Sequence, residues 1–259
     1  MSVWAFADLH GRKDLFDLIM EKIGSEDKVY CLGDCADRGE DGWEIIKACI
    51  DDPRITYLKG NHEAMFLDNW GNYHGEKIDV DAVGLSWDDH AYTWYYNGGL
   101  STETAFINDP IPGDEKARYI KEMKNLPFLA VYHNIYGETV ILSHAGCDPE
   151  DADIWEEKDF LWDRLHYKDN HWSGDDNTVI VHGHTPIELL VKDQMKVAQF
   201  YDIDLSLFPK VEDIDGAYWY AGGHKCCIDC GSVWSGRAVL LNLDTWDEEI
   251  FEIVKEDNN

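Results

Sequence analysis

The sequence predicts a mixed fold of the α/β or α+β class, on three observations. Short apolar runs rich in Val, Ile, Leu and aromatic residues recur at Val3 to Ala7, Lys28 to Leu32, Ile55 to Leu58, Val140 to Leu142 and Val179 to Val181, bounded by Gly or Asp as buried strands are. Each run gives way to a short polar motif, the pattern of a sheet whose ligand lies in the crevice beyond the carboxyl ends of its strands. The chain has 259 residues, 44% of them hydrophobic, enough for one substantial core and near the upper limit for a single domain. Residues 1 to 259 are therefore expected to form one domain.

The first run leads into Asp8-Leu9-His10-Gly11. If the strand stays extended there, alternation turns Asp8 and His10 the same way, and one segment delivers two ligands to a cation. A surface Asp and a polar loop His fit the same letters. The second run leads into Gly33-Asp34-Cys35-Ala36-Asp37-Arg38-Gly39, two carboxylates and a guanidinium in one tight loop whose glycines permit unusual backbone angles. The third leads into Gly60-Asn61-His62-Glu63, where Asn61-His62 also suits the cap of a helix expected over Glu63 to Asp68.

From Trp70 to Asn125 the core pattern stops. Trp70, Tyr73, Trp87, Tyr92, Trp94, Tyr95 and Tyr96 stand among acidic residues. An Asn97-Gly98-Gly99 breaker, a helical segment Ser101 to Phe106, a Pro/Gly loop and a helix from about Asp114 to Asn125 follow. Residues 70 to 125 are expected to form a helical cap beside the site, its aromatics either stacking on a nucleobase or building the cap's own core. The fourth and fifth runs lead into Ser143-His144-Ala145-Gly146 and Gly183-His184-Thr185-Pro186, and Phe200 to Tyr220, poor in Lys and Arg, reads as a loop. His182 shares the face of His184 only if its strand continues through Gly183, so it is expected in the core or behind a ligand.

Brought together, these motifs offer the carboxylates of Asp8 and Asp34, the Asn61 amide and the imidazoles of His10, His62, His144 and His184. A mixed nitrogen and oxygen set suits Mn, Fe or Zn better than Mg or Ca, which want nearly all oxygen. A carboxylate, unlike an imidazole, can span two cations about 3.5 to 4 Å apart, and two divalent ions sharing a water lower its pKa enough to leave a hydroxide near neutrality. No Ser or Cys nucleophile is then needed.

In order and spelling the five motifs resemble the metallophosphoesterase superfamily, and within it the phosphoprotein phosphatases of the lambda phage protein phosphatase type and the symmetrical diadenosine tetraphosphatases. The similarity covers residues 3 to about 69 and 126 to 243, including Leu161-Trp162-Asp163-Arg164 and Ile228-Asp229-Cys230-Gly231-Ser232. The resemblance implies a calcineurin-like β-sandwich flanked by helices, with two divalent metals, Mn foremost, at one edge. It assigns Asp8 and His10 to the first metal, Asn61, His144 and His184 to the second, and Asp34 to a bridge between them. It also supports Arg38 and Arg164 as holders of the phosphoryl oxygens, since a guanidinium fork donates two parallel hydrogen bonds; an ordinary ion pair is the other reading of Arg164. His62, held by Asp37, resembles a general acid for the departing oxygen.

The activity implied is a serine/threonine-type, broad-specificity protein phosphatase using a metal-bridging hydroxide, with a phosphorylated protein or small phosphoester as partner. The alternative is a dinucleoside polyphosphate hydrolase acting on diadenosine tetraphosphate. A non-catalytic scaffold would be expected to lack ligands, whereas all are present.

Composition excludes other classes. A formal net charge of -30 repels nucleic acid, because Lys and Arg supply most non-specific affinity for phosphate backbones. Acidic runs such as Asp148 to Asp153, Glu156 to Asp159 and Asp247 to Glu252 read as solvated faces. No apolar stretch spans a membrane and residues 1 to 20 lack a signal pattern, so a cytoplasmic location is expected. Seven scattered cysteines fit reduced thiols, with Cys226-Cys227-x-x-Cys230 near His224 as a weak candidate for an additional metal and Cys35 as an oxidation-sensitive or merely buried thiol.

Overall fold

The computed structural model describes residues 1–74, 87–149, 155–168 and 170–253. In the first of its two five-stranded sheets, β1 (Val3–Phe6), β2 (Lys28–Cys31) and β3 (Ile55–Tyr57) run parallel. In the second, β4 (Leu129–His133) is antiparallel to β5 (Thr139–Ser143), β5 is parallel to β6 (Thr178–His182), and β7 (Tyr218–Tyr220) edges β8 (Lys225–Cys227), itself parallel to β6. The chain then returns to the first sheet as β9 (Arg237–Asn242) and β10 (Glu248–Glu252), giving the orders β10-β9-β1-β2-β3 and β4-β5-β6-β8-β7.

Strand alternation builds the layers. Val3 and Ala5 of β1 face a core shared with Leu32, Leu58, Val140, Leu142, Val179, Val181, Val239 and Leu241, which lies between the sheets. Trp4 and Phe6 face the other way, into a core lined by helices α1 (Lys13–Lys22), α2 (Gly42–Asp51) and α3 (Asn61–His74). A strand covered on both faces needs no polar alternation, which is why β1 and β6 are buried throughout and read as unbroken apolar runs. After the short helix α7 (Glu157–Trp162), Leu190 and Val191 of α8 (Ile187–Phe200) pack on Tyr218, Tyr220 and Cys227 to cover the second sheet. The result is the expected β-sandwich flanked by helices.

In the 70 to 125 stretch, the described residues form α4 (Trp87–Tyr96), α5 (Gly99–Asn108) and α6 (Gly113–Lys124), so the expected helices at Ser101 to Phe106 and Asp114 to Asn125 are present with slightly wider or shifted ends. Their buried aromatics join the helical core of the first sheet. Trp94 is 1% exposed and meets Phe66 edge-on at 5.8 Å, while Trp43 meets Phe106 at 4.9 Å and Tyr119 at 5.6 Å. Such edge-to-face pairs contribute about 0.5 to 1.5 kcal/mol each beyond their burial. Tyr92 and Tyr96 are instead exposed and stacked on each other. The side chains of Trp70, Tyr73 and Trp87, and residues 150 to 153 of the acidic run that begins at Asp148, lie outside the described residues. The Phe200 to Tyr220 loop holds two short 3-10 turns and ends as strand β7, whose three residues leave too short a pattern to recognise.

Candidate metal centre

The carboxyl ends of the parallel strands converge as expected. Asp8 and His10 follow β1, Asp34 follows β2, Asn61 and His62 follow β3, His144 follows β5 and His184 follows β6. Main-chain hydrogen bonds stitch these loops together: Asp8 N to Gly33 O, His10 N to Asp34 O, and Gly183 N to His144 O. A Cβ on Gly33 would stand 2.6 Å from the Gly60 backbone, and one on Gly60 would stand 2.5 Å from Asp34 N, which explains the glycine in both motifs.

One expectation needs correction. β1 ends at Phe6, and Asp8 and His10 both have left-handed backbone (φ 55° and 45°), so strand alternation is not what aims them. Asp34, Asp37, Arg38 and His184 share this conformation, so among the described residues six of the ten such non-glycine positions belong to this centre. Left-handed backbone costs about 1 to 3 kcal/mol per residue and persists where surrounding structure enforces it, typically at functional sites.

The side chains form two donor groups that share one carboxylate. The ligand atoms of His10, Asp34 and His62 lie within 4.8 Å of one another, and so do those of Asp34, His144 and His184. Asp34 Oδ2 is 3.6 Å from His10 Nε2, and its Oδ1 is 3.5 Å from His144 Nε2. Asn61 Oδ1 joins the second group, 2.8 Å from His144 Nε2 and 2.9 Å from His184 Nδ1. Asp8 stands apart from both, its carboxylate accepting the His184 N–H at 3.0 Å.

The electrostatics suit cations. His10 Nδ1 donates to Ala36 O and His144 Nδ1 donates to Leu32 O, both at 2.8 Å, which fixes the tautomers and leaves each Nε2 with its lone pair facing the site. His144 Nε2 and Asn61 Oδ1 therefore meet as two acceptors, an arrangement that a shared cation satisfies. Burial holds the pKa values of His10, His144 and His184 below the ordinary histidine range, keeping them neutral as metal ligands must be. Burial pushes the Asp8 carboxyl well up, and the charges of Asp229 and Asp34 push it further. Burial would raise Asp34 as well, but His144, His62 and His10 together hold it well below the usual carboxylate range. His62 goes the other way: burial alone would lower it, yet Asp34 and Asp37 raise it, with Nδ1 2.7 Å from Asp37 Oδ2.

Both candidate arginines are present. Arg38 Nη1 donates to His10 Nε2 at 2.6 Å and its Nη2 lies 3.1 Å from His62 Nε2, while Arg164 Nε donates to His184 Nε2 at 3.2 Å. Thus every candidate residue touches another member of the set, and His182 does not: it lies in the core, 2.7 Å from the Tyr220 hydroxyl. Cys226 and Cys227 are consecutive strand residues and face opposite cores, so they cannot share an ion. The thiols that do cluster are Cys31, Cys35 and Cys49, and burial pushes all three well up, so Cys35 is a buried thiol rather than a reactive one.

Several residues support the centre in ways that their place in the sequence does not reveal. Asp229, at the end of β8, is buried and pushed up to about 7 by burial, and sits within the field of Asp34, Arg38 and Arg164. Trp94 Nε1 donates to Asp37 Oδ2 at 2.8 Å, and Asp37 N donates to Thr102 Oγ1 at 2.7 Å, so α4 and α5 hold Asp37, and through it His62, in place. Glu63 accepts the backbone N–H groups of Asp34, Cys35, Ala36 and Gly60 at 2.8 to 3.1 Å. A leucine-like Glu63→Leu change leaves those donors buried and unmatched, at about 1 to 3 kcal/mol for each orphaned group. Its denaturant midpoint should fall accordingly, and a loss under about 1 kcal/mol would show that the loop holds itself.

A two-sheet sandwich with paired His/Asp donor groups at one edge is a scaffold for metal-assisted hydrolysis. The profile of the calcineurin-like phosphoesterases matches residues 1–227, and the chain belongs to that family, whose members use a divalent metal pair on phosphoesters. Over 69 residues, 26% of this chain and 31% of the relative, it is 32% identical to serine/threonine-protein phosphatase 2 of Escherichia coli. Over 154 residues, 58% of this chain and 46% of the relative, it is 25% identical to the symmetrical bis(5'-nucleosyl)-tetraphosphatase of Buchnera aphidicola. The matches thus span less than half the length of these curated relatives. The metallophosphoesterase from Sphaerobacter thermophilus shares the fold, with a TM-score of 0.53 at 12% identity over 98% of this chain and 88% of that one. Among the described residues no helix is long and apolar enough to cross a membrane.

Proposed function

We propose that the chain is a phosphomonoester hydrolase of the serine/threonine type with broad specificity, working at a centre that takes two divalent ions. The observation that carries this reading is the position of Asp34, whose two oxygens face separate donor groups. In this reading Asp8 and His10 would hold the first ion, Asn61, His144 and His184 would hold the second, and Asp34 would serve both. When bound, the pair supplies Lewis acidity and lowers the pKa of water. Manganese suits the donor set best, with iron or zinc as further fits.

The protein's own groups do the rest. The Arg38 fork already points at the Nε2 atoms of His10 and His62, where a reacting phosphoryl group must sit, and Arg164 approaches from the His184 side. His62 presents Nε2 to the same space, and Asp37 stabilises its charged form through Nδ1. An imidazolium so held gives its Nε2 proton to the departing alkoxide.

Arg38→Ala and Arg164→Ala should each lower kcat/KM about 10- to 100-fold, the value of a hydrogen bond to a charged group, with bound metal unchanged. Lys should rescue poorly because it lacks the fork. Loss of metal from Arg164→Ala would show instead that it supports the centre.

A second reading, hydrolysis of dinucleoside polyphosphates, is favoured by the solvent-exposed stacked pair Tyr92 and Tyr96. Turnover of a phosphoserine peptide, a phosphotyrosine peptide and diadenosine tetraphosphate separates the two: preference for the peptides supports the first, and activity confined to the dinucleotide overturns it. The helical core shared by α1 to α3 with α4 to α6 supports one domain across residues 1 to 259. Seven free cysteines support a reducing, cytoplasmic setting.

A further inference from the structure

Beside the paired donor groups stands an aromatic ring that the chemistry above does not use. Trp234, on the short turn of helix α9 (Ser232–Ser235), is 66% exposed, and the Arg38 guanidinium carbon lies 5.0 Å from its ring centroid. That same guanidinium touches His10 and His62. The ring is therefore one side chain away from the reacting centre.

The turn that carries Trp234 is anchored from two sides. Asp229 Oδ1 accepts the Gly231 N–H at 2.7 Å, Gly231 O accepts the Trp234 N–H at 2.9 Å, and Arg12 donates to Ser232 O at 2.8 Å. What sets this exposed ring apart is its fixed place beside the site with a cation against one face, which makes it a rigid surface for another planar group.

We infer that Trp234 is a stacking platform for a planar ring carried by the phosphoester, and so adds affinity for ring-bearing esters within a broad substrate range. The inference rests on the phosphoester-hydrolase reading for its substrate but not for its binding. An aryl leaving group and a nucleobase share the required chemistry. Both place a π face beyond a phosphate that Arg38 holds, and stacking on an aromatic side chain is indifferent to the ring's hydrogen-bonding pattern.

The test compares wild type, Trp234→Ala and Trp234→Phe on phosphoserine, phosphotyrosine and diadenosine tetraphosphate, alongside equilibrium dialysis of AMP and of phosphotyrosine with the metal-loaded protein. In Trp234→Ala the loss of kcat/KM on a ring-bearing ester should exceed the loss on phosphoserine by about 5-fold or more, carried mainly by KM, with Phe recovering most of it. A differential loss confined to the dinucleotide identifies a nucleobase as the ring, and one confined to phosphotyrosine identifies an aryl group. Equal losses on all three substrates would overturn the inference, because Trp234 would then act only by positioning Arg38. If wild type turned over none of them yet bound AMP or phosphotyrosine in a Trp234-dependent way, the platform would stand and the hydrolase reading would fall. Turnover and ring binding that are both indifferent to Trp234 reject it.

Discussion

His62→Asn is expected to lower kcat/KM on a phosphoserine peptide by about 10²- to 10⁴-fold, the usual range for acid catalysis, and to cost far less on p-nitrophenyl phosphate. A serine alkoxide is a very poor leaving group and needs a proton in the transition state, whereas p-nitrophenolate is stable as an anion. The geometry supports the role: His62 is buried, its Nδ1 is 2.7 Å from Asp37 Oδ2, and its pKa is raised despite the burial. Asp37→Asn should show the same selectivity more mildly, since it removes the charge behind the imidazole and leaves the ring. Comparing two substrates on one variant cancels differences in metal content and active fraction. Equal losses on both would assign His62 to the support of the centre, next to its grouping with His10 and Asp34.

Metal removal is expected to abolish turnover altogether, and Mn²⁺ should restore it more readily than Mg²⁺ or Ca²⁺, because three imidazoles and an amide face the site. Among single ligand changes, Asp34→Asn should be the most damaging. Changes to groups that merely orient ligands already cost about 10- to 100-fold, and Asp34 faces both donor groups at once. Activity that survives verified metal removal in a strong chelator would contradict the mechanism.

What could be read from the letters alone has a physical pattern. Strands β1, β2, β3, β5 and β6 are buried on at least one face and end in chemically dense loops, so both their apolar runs and their motifs are visible. The edge strand β4, which alternates between exposed and half-buried positions, and the three-residue β7 and β8 leave no comparable signal. β9 is an apolar run, but no polar motif follows it to mark it.

The site divides the same way. Asp34, His144 and His184 announce themselves through residue type and glycine spacing. Glu63, Trp94 and Thr102 act through bonds across long sequence separations, such as the 57 residues between Trp94 and Asp37, and Asp229 acts through its charge on Arg38, Asp34 and Arg164. Helix positions and core aromatics look alike in sequence whether or not they buttress a carboxylate of the site. The left-handed backbone of Asp8 and His10 was equally hidden, since nothing in Asp-Leu-His marks the end of an extended strand.

The central claim is that one carboxylate joins two ion sites, and counting ions tests it most directly. Metal-depleted wild type and Asp34→Asn would be dialysed against the same Mn²⁺ buffer and analysed for bound metal per folded chain. Two ions per chain in wild type, with at least one lost from Asp34→Asn while its fold is kept, is the expected result. Two ions retained by Asp34→Asn, with near-normal turnover, would contradict it.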